Sequence, residues 1–340
     1  MMAGRITSQH VAERAGVSQS AVSRAFTPGA SVSEKTAARI REAAQELGYR
    51  PNNLARSLIT GRSRIIGLVV AYLDNYFYPE ALEKLSNALQ ARGYHILVFM
   101  ASQNAGNIDE VLEEILDYQV DGIIMASASL SSDLASRCHT AGVPVVFFNR
   151  RQDLDGISSV TCDNRAGGRR VAEFLLAGGH RRIGYIAGWA GASTQRGREA
   201  GFAESLAAAG TGLAARETGD FDTARARGAA RAMFAGRDRP DAVFVANDHM
   251  AFQVMDVLRG EHGLDVPGDV SVVGFDDVPP ASWAAYDLTT VRQRANLMVE
   301  RTVDILLAEI EDPETPPRQI RIEAPLIVRG SARVPAGWAA

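Results

Sequence analysis

Four side chains able to read hydrogen-bonding edges, Gln19, Ser20, Ser23 and Arg24, fall close together in AGVSQSAVSRAF, residues 15–26. Their chemistry is recognition, not bond making. A glutamine amide matches the donor–acceptor edge of adenine and an arginine fork matches guanine. Elsewhere the residue types that make or break bonds lack the spacing to do so. The only lysines, Lys35 and Lys84, stand outside any GxxxxGK[ST] run, the six histidines form no HExxH, and no GxSxG occurs. GWAGAS, residues 188–193, lacks the GxGxxG of a dinucleotide site. Cys138 and Cys162 form neither CxxC nor a zinc spacing and read as buried thiols of a reducing compartment. The sequence therefore reads as a non-enzyme with no cofactor and no metal.

Reading needs a slim helix held at a fixed angle, and the surrounding residues predict one. Thr7 is placed to cap a first helix with the apolar stripe Val11, Ala12 and Ala15, which Gly16 ends. Ser18 caps a second helix to about Phe26, with Val22 and Phe26 facing inward. The short glycine-bearing turn between them predicts a helix-turn-helix, whose second helix enters the DNA major groove. Ser33 caps a third helix whose Ile40, Ala44 and Leu47 close the small core before Gly48 and Pro51.

Charge supports the same reading. Residues 1–62 carry nine basic side chains against four acidic ones, a net +5, whereas the other 278 carry 27 against 36, a net −9. A basic head on an acidic body is the asymmetry of a module that meets phosphate. Next, RPNNLARSL holds barely two turns of helix between Pro51 and the core, too short to be stable alone, and is expected to be a hinge.

From Ile65 the pattern becomes α/β. Apolar runs such as IIGLVVAY, HILVFMA, DGIIMASA, VPVVFFNR, RIGYIAG, AVFVAN and SVVGFDD alternate with helical stretches such as YPEALEKLSNALQARG and DHMAFQVMDVLRGEHG. This predicts parallel sheets flanked by helices, too many strands for one sheet, and a handover to a second lobe near CDNRAGGRR. No run approaches the length of a membrane helix and MMAGRITSQH has no apolar signal core, so a cytoplasmic location with no membrane contact is expected.

Taken together, VAERAGVSQSAVSRAF, RPNNLARSL, IIGLVV, VDGIIMAS, GHRRIGYIAG, REAGF, AVFVANDHMAFQVM, VSVVGFDD and LTTVRQ make nearly the whole chain resemble the lactose-repressor (LacI) family of bacterial transcription regulators. One departure is His10, where the family often has an acid before VA. The loss of that acid at the positive end of a helix predicts a slightly less stable first helix.

The resemblance implies a helix-turn-helix head at 1–50, a hinge helix and linker at 51–63, and a core at 64–340 like a two-lobed periplasmic sugar-binding protein. The lobes are expected at about 64–161 plus 291–322, and at about 162–290 plus 323–340. It further implies DNA contacts from Thr7, Gln19, Ser20 and Arg24 in the head and from Asn53, Ala55 and Leu58 in the hinge, with Leu58 wedging into the minor groove. For an effector it implies Arg198, Asn247 and Asp276, whose guanidinium, amide and carboxylate suit vicinal hydroxyls. Asn75, Tyr76, Phe77 and Trp189 are candidates for an aromatic wall, with plain core packing the alternative for each ring. The implied function is a regulator, in all expectation a repressor, controlled by a sugar or polyol; the alternative is a nucleobase or phosphorylated metabolite acting as co-repressor. The expected partners are a pseudo-palindromic operator and a second copy of the chain, since no leucine-heptad tail follows the final strand, RIEAPLIVRG, to build a tetramer.

Overall fold

The computed structural model describes residues 6–27, 30–50, 61–101, 108–126, 132–152 and 156–338. The chain divides into two units, Met1–Ser63 and Arg64–Ala340.

In the first unit, helices α1 (Ser8–Ala15), α2 (Gln19–Ala25) and α3 (Glu34–Leu47) enclose Val11, Ala12, Ala15, Val22, Ile40, Ala43 and Ala44. Ser18 Oγ accepts from the Ala21 N–H and Ser33 Oγ from the Thr36 N–H, so both later helices start where the sequence places their caps. Gly16 ends α1 at φ +62°, a left-handed conformation that lets its N–H reach back to Ala12 and Glu13. α1 has no acid in its first turn, but His10 Nδ1 accepts the Thr7 N–H at 3.2 Å. The imidazole does the work of the capping-box acid, so the first helix keeps its closure.

The second unit holds two six-stranded sheets. In the first the order is β11(Gln319–Ile322), β5(Ser158–Cys162), β4(Val145–Phe148), β3(Gly122–Ala126), β1(Ile65–Val70), β2(His95–Met100), all parallel. In the second it is β12(Leu326–Ile327), β10(Thr289–Arg292), β9(Ser271–Asp276), β8(Ala242–Val245), β6(Ile183–Ala187), β7(Ala215–Thr218), parallel except for the short β12. The same winding is thus used twice. β3, β4, β8 and β9 are buried along their whole length, as strands covered by helices on both faces must be.

Helix α4 (Phe77–Gln90) shows how the covering works: Phe77, Tyr78, Ala81, Leu85 and Leu89 recur at helical spacing and are buried. Helices α7 (Asn164–Ala177) and α8 (Ser193–Ala208) cross with their backbones touching. A Cβ on Gly201 would lie 1.9 Å from the Arg165 carbonyl oxygen, and one on Gly168 2.1 Å from that of Arg198.

The chain passes between the sheets three times: from β5 to α7, from β10 to α11 (Ala295–Glu311), and from β11 to β12. These passages are laced together, Asp163 N–H to the Ile322 carbonyl at 2.8 Å and Arg292 N–H to that of Pro325 at 2.8 Å. The first two fall a residue or two from where the sequence places them, since Cys162 ends a strand of the first sheet and residues 291 and 292 belong to the second. RIEAPLIVRG is also corrected: its apolar residues feed two short strands of different sheets, interrupted at Pro325. No helix among the described residues is long and apolar enough to cross a membrane.

Candidate functional site

Ligands of doubly wound sheets sit beyond the carboxyl ends of the strands, and here both sheets bring polar side chains to those ends. Arg198, on the second turn of α8, is 2% exposed. Its Nε donates to Asn164 Oδ1 at 2.9 Å, Nη1 to the Ala246 carbonyl at 2.5 Å, and Nη2 to Asp276 Oδ1 at 3.2 Å. The guanidinium also lies 3.7 Å from the centroid of Phe275. A charge this buried needs such a full set of acceptors.

Asp276 closes the other side. It ends β9 at φ +131°, and Asp277 follows at +59°, two consecutive conformations that side-chain-bearing residues rarely adopt. Gln293 Nε2 donates to its Oδ1 at 2.7 Å, and the Asn75 amide lies near the same carboxylate and favours its charged form. Burial pushes the Asp276 carboxyl above its ordinary value, against the pull of Arg198 and these amides. The strained turn has its own anchors. Asp248, fully buried, accepts from the Val278 N–H at 3.1 Å and from the Thr290 hydroxyl at 2.5 Å, and Arg292 and Arg329 hold Asp277. Burial, with the charge of Asp276 second, raises Asp248 to about 7.

Asn75 belongs to the first lobe, after β1, so its approach to Asp276 spans the cleft. Further contacts do the same: Arg151 N–H to Ser193 Oγ at 2.9 Å, Arg150 over the Trp189 ring at 5.5 Å, and His249 Nε2 at 4.0 Å from Asp74. Not every expected residue serves the site through its side chain. Phe77 is 3% exposed, stacked on Phe148 and edge-on to Tyr78, so its ring is core; only its N–H, bound by Asn75 Oδ1 at 2.8 Å, faces the site chemistry. Asn247 spends its Oδ1 on the Met250 N–H, capping α10 (Asp248–Gly260). Trp189 and Tyr76 remain partly exposed.

Residues not singled out in the sequence complete the cleft. Asn149, Arg150 and Gln293 are each 4–5% exposed, and Asn149 Oδ1, Arg150 Nε and Gln293 Oε1 have no hydrogen-bond partner. Buried polar atoms left without partners are what a missing ligand would satisfy. Asn149 and Arg150 follow VVFF directly, as Asn247 follows VFVA, so the same strand-end rule would have found them.

In the head, Thr7, Gln19, Ser20, Ser23 and Arg24 are all exposed. Gln19 Nε2 donates to Ser8 Oγ at 2.8 Å, which steadies the amide while leaving its oxygen outward. Asn53, Ala55 and Leu58 lie outside the described residues. No cluster of three metal-ligating side chains exists among the described residues. Cys162 is buried and its thiol is pushed up to about 12 by burial, as an inert core thiol should be.

Residues 7–52 match the model of bacterial regulatory proteins of the lacI family, and residues 172–332 match a periplasmic binding protein-like domain. The ribose operon repressor of Escherichia coli (strain K12) is 31% identical over 332 residues, spanning 96% of this chain and 99% of that repressor. The HTH-type transcriptional repressor PurR of Pectobacterium carotovorum subsp. carotovorum (strain PC1) is 30% identical over 331 residues, spanning 96% of each. Among solved structures, the lac repressor dimer bound to operator and the anti-inducer ONPF superposes with a TM-score of 0.86 at 29% identity, covering 96% of this chain and 99% of that one.

Proposed function

The chain belongs to the lacI family of bacterial regulatory proteins, a DNA-binding transcriptional regulator and not an enzyme, and on that premise we infer that it represses from a pseudo-palindromic operator as a homodimer released by a sugar or polyol bound between its lobes. The observation that carries the effector reading is the buried chain Arg198–Asp276–Gln293, with Asn75 of the first lobe close to its carboxylate. Neighbouring donors and acceptors on a carboxylate, a guanidinium and two amides match vicinal hydroxyls. Relatives named as a ribose operon repressor and as the repressor PurR both exist; hydroxyl recognition is favoured because the buried groups that meet at the strand ends are a guanidinium, a carboxylate and an amide, while Phe77 is packed into the core. Calorimetric titration of the full-length protein with sugars, polyols and purines tests this. Tight binding of a purine alone would replace the reading.

Control of DNA follows from the chain's connectivity. The first lobe continues directly from residues 51–63, whose short hinge is expected to gain helix only when two copies are held together on the operator. A ligand that changes the angle between lobes shifts that equilibrium, and linkage requires operator to weaken the effector by the same factor. On the head, Arg24→Ala should lose about 1–3 kcal/mol of operator affinity and relax base choice at one position per half-site. Electrophoretic shifts on a set of singly substituted operators measure both. Equal affinity for all of them would remove Arg24 from the reading face.

The surface for the second copy is the free edge of the first sheet. β2 leaves Val98 and Met100 exposed at 40% and 51% on one face. An uncovered apolar edge strand is a pairing template. Met100→Glu should shift the protein from dimer to monomer in sedimentation at micromolar concentration and weaken operator binding with it. A stable wild-type monomer would overturn the assembly.

A further inference from the structure

Two guanidiniums, Arg150 and Arg198, are buried in the cleft, and among the described residues only one of them is paired with a carboxylate. Arg198 has Asp276. Arg150, at the carboxyl end of β4, has no carboxylate within ion-pairing distance among the described residues. Its surroundings are the Trp189 ring, the Tyr72 hydroxyl and, at Nε, no hydrogen-bond partner at all. Burial holds the Tyr72 phenol well above its ordinary value, so it stays neutral and cannot balance the cation. A ring face and a phenol soften the loss of water around a guanidinium; they do not neutralise it, and an uncompensated buried charge is among the costliest groups a core can hold.

A second positive element stands beside it. The N–H of the next residue, Arg151, donates to Ser193 Oγ at 2.9 Å, and Ser193 is the first residue of α8. That helix has Ala192 at its N-cap, with no side-chain oxygen to occupy the positive end of its dipole. The cleft helices α7 and α10, in contrast, are capped by Asp163 and Asn247.

We propose that Arg150 binds an anionic group of the effector, which is therefore an acidic polyol: a sugar bearing a carboxylate or a phosphate. The anion sits on Arg150 near the start of α8, with the unpartnered Asn149 Oδ1 beside it to accept a hydroxyl, and the remaining hydroxyls fall to Arg198, Asp276 and Gln293. This rests on the cleft being the effector site and adds the charge of what fills it. It also places the anion where the two lobes touch, so that its binding changes their angle directly.

The test is calorimetric titration of the full-length protein with matched sets on one carbon skeleton: neutral sugars, their aldonates and uronates, and their monophosphates. An acidic member should bind at least about 100-fold more tightly than its neutral counterpart and lose affinity as salt rises; which acidic set wins identifies carboxylate or phosphate. Arg150→Ala should remove at least that factor and Arg150→Lys should recover part of it. Without ligand, Arg150→Met should melt no lower than wild type, because the variant sheds an unpaired buried charge. A neutral sugar that binds as tightly as its acid, untouched by Arg150→Ala, overturns the proposal and leaves the effector site standing. A fall in melting temperature for Arg150→Met marks the arginine as a structural strut and overturns it too. If no polyhydroxylated compound binds, charged or neutral, the underlying effector reading falls with it.

Discussion

Asp276→Ala should abolish the response to effector while operator binding in its absence stays within a few-fold of wild type. The carboxylate sits at the junction of the site: Arg198 and Gln293 both bond to it, and Asn75 lies close by. Removing it deletes a ligand group, frees the Gln293 amide, and strands Arg198 as a buried cation. Breaking a buried ion pair from one side costs about 3–5 kcal/mol, so the melting temperature of the core should fall as well. Asp276→Asn separates the two effects. It keeps the shape and one acceptor, loses the charge, and should bind effector weakly in a better-folded core. The readout is calorimetry with the true effector, paired with operator titration with and without it. Unchanged effector affinity in Asp276→Ala would remove the residue from the site.

A methyl group placed in the helix crossing behind the site should do comparable damage. Gly201→Ala puts a Cβ 1.9 Å from the Arg165 carbonyl oxygen, and the obstacle is backbone, which cannot swing aside. Overpacking of this kind costs about 1–3 kcal/mol and sometimes more, and here the upper end applies. At roughly 2–4 °C per kcal/mol for a unit of this size, thermal unfolding should shift by about 6–12 °C. Effector affinity should fall too, since the same helix crossing sets the height of Arg198 above the strand ends. Gly228→Ala is the control. It lies within a helix (Thr223–Phe234), and its added Cβ meets nothing within 4 Å, so it should be neutral or stabilise by about 0.5–1 kcal/mol. Equal melting temperatures for the two variants would contradict the packing described for this crossing.

What the sequence made legible was whatever local chemistry dictates. Ser18 and Ser33 announce helix starts because a hydroxyl there satisfies N–H groups that have no other partner. IIGLVV reads as a covered strand because it is apolar on both faces. SSVTC and ARET do not read as strands, because their places in the sheets come from neighbours distant in sequence and not from their own pattern. The capping bond made by His10 was not legible: its imidazole offers a lone pair where an acid was expected, keeping the hydrogen bond but not the charge. Phe77 was ambiguous for the opposite reason, since a ring after a strand end can point either way, and only packing on Phe148 decides it. Arg150 was missed because a lone arginine is unremarkable in a sequence. Its meaning depends on which acids are absent from its surroundings.

The three laced passages between the sheets bear on the pharmacology of the protein. Each is only a few residues long, and hydrogen bonds tie them side by side, at Asp163 to Ile322 and at Arg292 to Pro325. Such a joint leaves the lobes little freedom except to swing about one line. Affinity and efficacy can then reside in different side chains. A compound that satisfies only Arg198, Asp276 and Gln293 grips one leaf of the joint and exerts no torque on the other, so it should occupy the site as a competitive antagonist. One that also reaches Asn75, Asn149 or Arg150 engages both leaves and acts as an agonist, in proportion to how well it does so. Graded analogues should therefore fall on a scale of partial agonism that does not track how tightly they bind.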